Sequence, residues 1–202
     1  MTLYDIISEM STIIDDLDIR LGNCIRTERE ARGWSLTDLA QRSGVSRAMI
    51  NKVERGGASP TASLLGRLSG AFGLTLSTML ARTEDAVSGR LVRAADQMFW
   101  RDPGTGYVRW HIAPAPGSDL PIDIVKVELP AGASVTFPAV SRSFTRETVW
   151  VLDGCLTFLE EEVVYRLEAG DCLETARATA STFRNETDRA CTYVVVVLKS
   201  AS

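Results

Sequence analysis

Apolar residues recur at spacings of three and four from the start of the chain to about Leu80, and from Leu91 onward they alternate in short runs. The pattern predicts helices first and strands second. Leu3, Ile6, Ile7, Met10, Ile13, Ile14 and Leu17, with acidic residues between them, predict an amphipathic helix over residues 1–17. Such a helix can pack on its own domain or form a short two-chain seam, and two heptads alone are marginal.

The string WSLTDLAQRSGVSRAMINKVERG, Trp34 to Gly56, predicts two short helices joined by a tight turn. Ser35 is an N-cap type, Leu36, Leu39 and Ala40 make one apolar face, and Gly44 lets the chain turn. Val45 can then plug the angle between the helices. Ser46 can cap the second, with Met49, Ile50 and Val53 inward and Arg47, Asn51, Lys52 and Arg55 outward. Guanidinium, amide and ammonium groups on one face suit a groove lined with base edges and flanked by phosphates. An ordinary helical hairpin with a solvated basic face gives the same outward set. Further on, Pro60 is placed to open a helix, and Leu64, Leu65, Leu68 and Phe72 form a stripe that Gly73 stops.

With LTDLAQRSGVS, INKVERG and LSTML in order, the stretch from Asp18 to Ala81 resembles the Cro and lambda-repressor-like family, also called the xenobiotic-response-element family. The resemblance implies a five-helix DNA-binding domain over residues 18–82. It assigns Ser46, Arg47, Ala48, Asn51 and Lys52 to the groove-facing side of the recognition helix, with Arg55 beside them and Thr37 and Gln41 at phosphates. Arg47 and Lys52 can donate to guanine, and Asn51 can read adenine. Glu54 does not fit that role, because a carboxylate beside phosphate is repelled. The resemblance implies instead a structural ion pair with Arg29.

Charge agrees once the chain is divided. The net formal charge is −4, yet residues 20–82 carry ten Lys/Arg and four Asp/Glu, a local +6. That field attracts phosphate and predicts salt-sensitive binding. The chain contains no apolar run of membrane-spanning length and no secretory signal pattern, so a cytoplasmic protein without membrane contact is expected. Cys24, Cys155, Cys172 and Cys191 lack zinc-ligand spacing and read as small buried hydrophobes, a redox pair among the last three being the alternative.

Residues 83–90 lose periodicity and read as a linker, and residues 91–202 as an all-β domain. Strands are predicted at MFW, YVRWHI, DIVKVEL, ASVTF, ETVWVL, CLTFL, VVYRL, CLET and CTYVVVVL, with turns at Asp102 to Gly106 and at Asp153-Gly154. Pro130-Ala131-Gly132, Glu147, the VLDG turn, Leu167 to Asp171 and Phe183-Arg184-Asn185 make this half resemble the cupin family. The implied fold class is α+β in two domains, with the helical DNA-binding domain followed by a double-stranded β-helix, or jelly-roll barrel.

Enzymatic cupins hold a metal with three histidines and a glutamate. At the corresponding positions this chain has Pro138, Val140 and Ser181, leaving Glu147 alone, and its single histidine, His111, lies on another strand. No metal and no other cofactor is therefore expected. Pro138, Val140, Glu147, Ser181 and Phe183 are the candidate effector-pocket residues: an apolar pocket with one carboxylate suits a modest organic ligand, a cation included. Filling of the barrel by these side chains is the plainer alternative. The resulting expectation is a non-enzymatic, DNA-binding transcriptional regulator, a homodimer on a double-stranded operator, whose barrel binds a small organic effector or only dimerises. An enzyme or metal protein with an auxiliary DNA-binding half is the competing class.

Overall fold

A computed structural model describes residues 3–83, 91–114, 118, 120–142, 144–176 and 178–199, with the backbone alone for 3–16, 141 and 142. Five helices come first: α1 (Leu3–Ala31), α2 (Leu36–Ser43), α3 (Arg47–Glu54), α4 (Ala62–Phe72) and α5 (Leu76–Ala81). The sequence divides the chain at residue 17, whereas α1 runs through that point without a break for 29 residues. The side chains of the proposed two-chain seam before Leu17, and the linker at 84–90, lie outside the described residues.

Local chemistry sets the short helices. The Ser35 side chain accepts from the Asp38 backbone while the Asp38 carboxylate accepts from the Ser35 N–H, a reciprocal cap that starts α2. Gly44 ends it at φ 67°, the left-handed region where a Cβ is disfavoured. Ser46 caps α3 and Thr61 caps α4, so Pro60 precedes the cap and does not open the helix as the sequence suggests. Leu39, Ile50, Val53, Leu65 and Leu68 are fully or almost fully buried among these helices. Met49, expected inside, is 38% exposed. An eight-residue helix buries only a narrow face, here Ile50, Val53 and Glu54.

Among the described residues the second half contains ten strands: β1 (Phe99–Arg101), β2 (Val108–Ala113), β3 (Ile122–Leu129), β4 (Ser134–Phe137), β5 (Thr145–Asp153), β6 (Cys155–Glu160), β7 (Val163–Glu168), β8 (Cys172–Glu174), β9 (Ser181–Arg184) and β10 (Cys191–Lys199). They form one sheet in the order β1-β2-β3-β10-β5-β8 and another in the order β4-β9-β6-β7, every pairing antiparallel. Strand β3 pairs with β10, the last described strand, and from β3 onward the chain crosses between the sheets at each step but β6 to β7, which is jelly-roll topology. The Asp102 to Gly106 turn is a hairpin joining β1 and β2. Asp153-Gly154 is not: β5 and β6 belong to different sheets, and Gly154 at φ 86° turns the corner between them. A Cβ there would meet the Ala190 carbonyl oxygen and Cys191 Cα at 3.0 Å.

Strand β9 escapes the sequence reading because its four residues alternate only once, yet Ser181 and Phe183 are its buried positions. Next to it Asn185 is fully buried and pins three chain segments. Its Nδ2 donates to the carbonyls of Leu129 (3.0 Å), Pro130 (3.1 Å) and Arg189 (2.7 Å), and its Oδ1 accepts from the Thr187 amide and hydroxyl. Asn185→Ala strips donors from buried carbonyls and is expected to cost about 2 kcal/mol in denaturant unfolding. An unchanged midpoint would show that these carbonyls find other donors.

The two halves share one apolar core and are tied by polar bonds. Asp102 accepts from the first amide of α4, at Ala62 (3.2 Å). The α5 cap Thr75 donates to Asp123 of β3 (2.9 Å), and Arg109 of β2 donates to Ser77 of α5 (2.6 Å). Gly66 of α4 lies so close to the barrel that a Cβ there would be 2.8 Å from the Phe137 ring.

Candidate functional site

Among the described residues, two places combine concave or exposed shape with the chemistry of a site. The first is the surface made by α2 and α3. Arg47, Ala48 and Lys52 on α3, and Arg55 just after it, are exposed, and Asn51 is half-buried among them. Thr37 and Gln41 are exposed on α2. The Ser46 hydroxyl accepts from the Met49 amide (3.2 Å) and so is engaged in the cap.

The other basic residues near this surface are mostly committed elsewhere. Arg26 donates to the Glu54 carbonyl (2.8 Å), Arg32 pairs with Glu28 (2.6 Å), and Arg42 lies 4.4 Å above the Trp34 ring. Arg82 also pairs with Glu28. The positive field of the helical half is thus partly spent on holding its own fold, and Arg47, Lys52 and Arg55 present it outward. A short helix carrying two cations and an amide on one exposed face can donate to base edges and phosphates together.

Glu54 points away from that face. It is 5% exposed, and Arg29 grips it with two parallel bonds, Nε to Oε1 at 2.7 Å and Nη2 to Oε2 at 2.8 Å. The bond to Glu54 is the main reason the Arg29 guanidinium is held above its ordinary range. The pair fastens α1 to the end of α3 and so sets the angle at which α3 projects.

The second place is a cavity of about 80 Å³ inside the barrel mouth. Of the five pocket candidates, Glu147 and Phe183 line it. Pro138 and Val140 do not: Pro138 precedes, and Val140 belongs to, the short 3-10 turn at Ala139–Arg142 that packs on α4, and Val140 is 37% exposed. Ser181 is buried without lining the cavity, and among the described residues its Oγ has no hydrogen-bond partner. The barrel residues missed by sequence reasoning include Tyr107, Arg109, Phe137, Thr145 and Tyr193, with four valines of β3 and β10 between them. The signal for Arg109 was present, since an arginine stands in the apolar register of YVRWHI two residues from Tyr107, but strand alternation alone does not say which face is inward.

The helical half adds Gly66 and Ser69 of α4, Leu76 and Ser77 of α5, and the α5 cap Thr75. The cavity is therefore not apolar with one carboxylate. It holds a guanidinium as well, and it is closed by the helical half. His111 is buried on the same strand as Arg109, its Nε2 2.7 Å from the Pro114 carbonyl oxygen.

The cysteines divide differently from expectation. Cys191 is fully buried and Cys24 half-buried, and burial pushes both thiols up to about 11, so both stay protonated at neutral pH. Cys172 is exposed and fills no core position.

Comparison with known proteins agrees with the helical geometry. The helix-turn-helix family HTH_3 matches residues 25–79. The HTH-type transcriptional regulator SutR of Escherichia coli is 35% identical over 66 residues, 33% of this chain and 37% of that protein. An uncharacterised HTH-type transcriptional regulator of Mycobacterium tuberculosis is 38% identical over 77 residues, 36% of this chain and 30% of that one. The chain thus spans about a third of the length of these curated relatives. A crystal structure of an HTH_3 family transcriptional regulator from Vibrio cholerae superposes over 92% of this chain and 99% of its own, with a TM-score of 0.75 at 19% identity, a likeness of fold that includes both halves. With its capped helices, left-handed turn glycine and outward cationic face, the segment 25–79 is similar to the HTH_3 helix-turn-helix family that matches it, and it stands here on a jelly-roll barrel.

Proposed function

We propose that the chain is a cytoplasmic, sequence-specific transcriptional regulator that lays α3 in the major groove of an operator, and that its barrel senses a small organic effector without catalysis. The observation that carries this reading is the outward set of exposed Arg47, Ala48 and Lys52 with half-buried Asn51 on a capped helix whose other face is buried. Among the described residues no helix is long and apolar enough to cross a membrane. Arg47, Asn51 and Lys52 read base edges, Ala48 leaves room for a thymine methyl group, and Thr37, Gln41, Ser46 and Arg55 hold the backbone.

The regulator acts as a homodimer. Two recognition helices about 34 Å apart then meet successive major grooves of a partly palindromic site. The outer face of the larger sheet supports this, since Trp150, Val196 and Leu198 on adjacent strands are 48%, 36% and 43% exposed.

Selection from a random duplex library at physiological salt tests the reading, and the expected result is a short, two-fold symmetric consensus. Arg47→Ala, Asn51→Ala and Lys52→Ala should each weaken that site by about 1 to 3 kcal/mol, roughly 5- to 150-fold, with specificity relaxed at one position per half-site. Arg55→Ala should weaken all sequences alike and reduce the salt dependence. No enrichment of any sequence would reject the proposal.

A further inference from the structure

Arg109 is the least expected group in the barrel. It is 7% exposed, and among the described residues its guanidinium has one hydrogen-bond acceptor, the Ser77 hydroxyl, and no ion pair. A guanidinium carries five N–H donors and keeps its charge at all working pH values. Placed in a cavity wall it is a cation with most of its donors unspent, and a buried charge is stable only when an opposite charge meets it.

The rest of the cavity narrows what that opposite charge can be. Glu147, the other ionisable side chain of opposite sign in the wall, is already engaged, with Thr145 donating to its Oε1 (3.0 Å). Phe183 and Tyr193, stacked with ring centroids 5.5 Å apart and nearly parallel, make a flat apolar side. A cation with donors unspent among the described residues, one nearby carboxylate and apolar rings suit a singly charged anion with a short hydrocarbon tail, and disfavour a doubly charged phosphate.

We propose that the cavity takes a small carboxylic acid, its carboxylate on Arg109 and its tail against Phe183 and Tyr193, and that the tail acts on the α4 and α5 wall. The proposal deepens the regulator reading given above and rests on it for its second part. About 80 Å³ accommodates only a few heavy atoms. There is no slack toward the helices, because the backbone at Gly66 already sits where a single added carbon would strike Phe137. A longer tail must therefore move the helical half relative to the barrel. The Arg109 to Ser77 bond spans the same gap, so an anion drawing on Arg109 competes with the contact that seats α5. Occupancy and head position are linked through this differential fit.

Acetate and butyrate, with butyramide and butylammonium as neutral and cationic shapes of the same size, are titrated into the full chain without DNA. Expected are saturable rises in melting temperature for the two carboxylates only, and nuclear Overhauser contacts from the acetate methyl to the Phe183 and Tyr193 rings. Arg109→Gln should weaken acetate ten-fold or more, and Arg109→Lys less. If Arg109→Gln does not fold, the preference for carboxylate over amide and the ring contacts in wild-type protein decide. Binding of butyramide or butylammonium as tight as butyrate, or no carboxylate binding, overturns the assignment. Butyrate should then change affinity for the selected operator five-fold or more, and acetate less; an unchanged affinity with butyrate seated in the cavity overturns the coupling. Failure to bind any specific DNA would remove the regulator reading while leaving the titration result intact.

Discussion

Glu54→Ala destabilises the protein by about 3 kcal/mol, the lower end of what breaking one partner of a buried ion pair costs. The carboxylate is almost fully buried, and its loss leaves the Arg29 guanidinium, with a side chain 12% exposed, short of its main partner. Arg29 retains the Trp34 carbonyl (2.9 Å) and the exposed Glu30 carboxylate (3.2 Å), which keeps the loss from reaching the upper end. Denaturant unfolding measures it, and operator affinity should fall together with stability because α3 loses its anchor to α1. A Glu54→Gln variant as stable as wild type that bound DNA more tightly would place the carboxylate at the phosphates instead.

Gly22→Ala is expected to destabilise by about 2 to 3 kcal/mol, toward the upper part of the overpacking range. In most helix interiors this change gains roughly 0.5 to 1 kcal/mol, because alanine loses less backbone freedom on folding. Here the added Cβ would lie 2.3 Å from the Val53 carbonyl oxygen and 3.2 Å from the Glu54 backbone. Backbone atoms cannot turn aside as a side chain would. Helix α1 must then shift away from the C-terminal end of α3, which also strains the Arg29 to Glu54 pair and tilts the reading surface. Thermal unfolding and operator titration check both consequences, and a stabilised variant would mean that the two helices are not held at this approach.

Much of the helical half was legible because its determinants are local. The caps at Ser35 and Ser46, the left-handed glycines at 44 and 73 and the Leu65, Leu68 and Phe72 stripe act within one or two turns of the chain, and the helices form where they point. The errors were of a similar scale: Pro60 lies one residue before the cap, and Met49 sits at the margin of a face too narrow to bury it. In the barrel, strand alternation marked most elements but not their partners. Asp153-Gly154 has a hairpin's residues, yet it joins two sheets, because pairing in a jelly roll is decided by strands far apart in the chain.

By itself, the sequence determined a capped helix-turn-helix followed by a strand-rich half, and the polar face of α3, since each follows from residues that interact with near neighbours. The cavity was decided by tertiary structure alone. Pro138 and Val140 were placed in it by motif position and lie outside it, while Arg109, Tyr193 and the α4 and α5 wall were brought in by packing between halves. A strand's period fixes which residues share a side. Only the closed barrel, with the helices seated on its mouth, fixes which side faces the cavity and which charge stands in its wall.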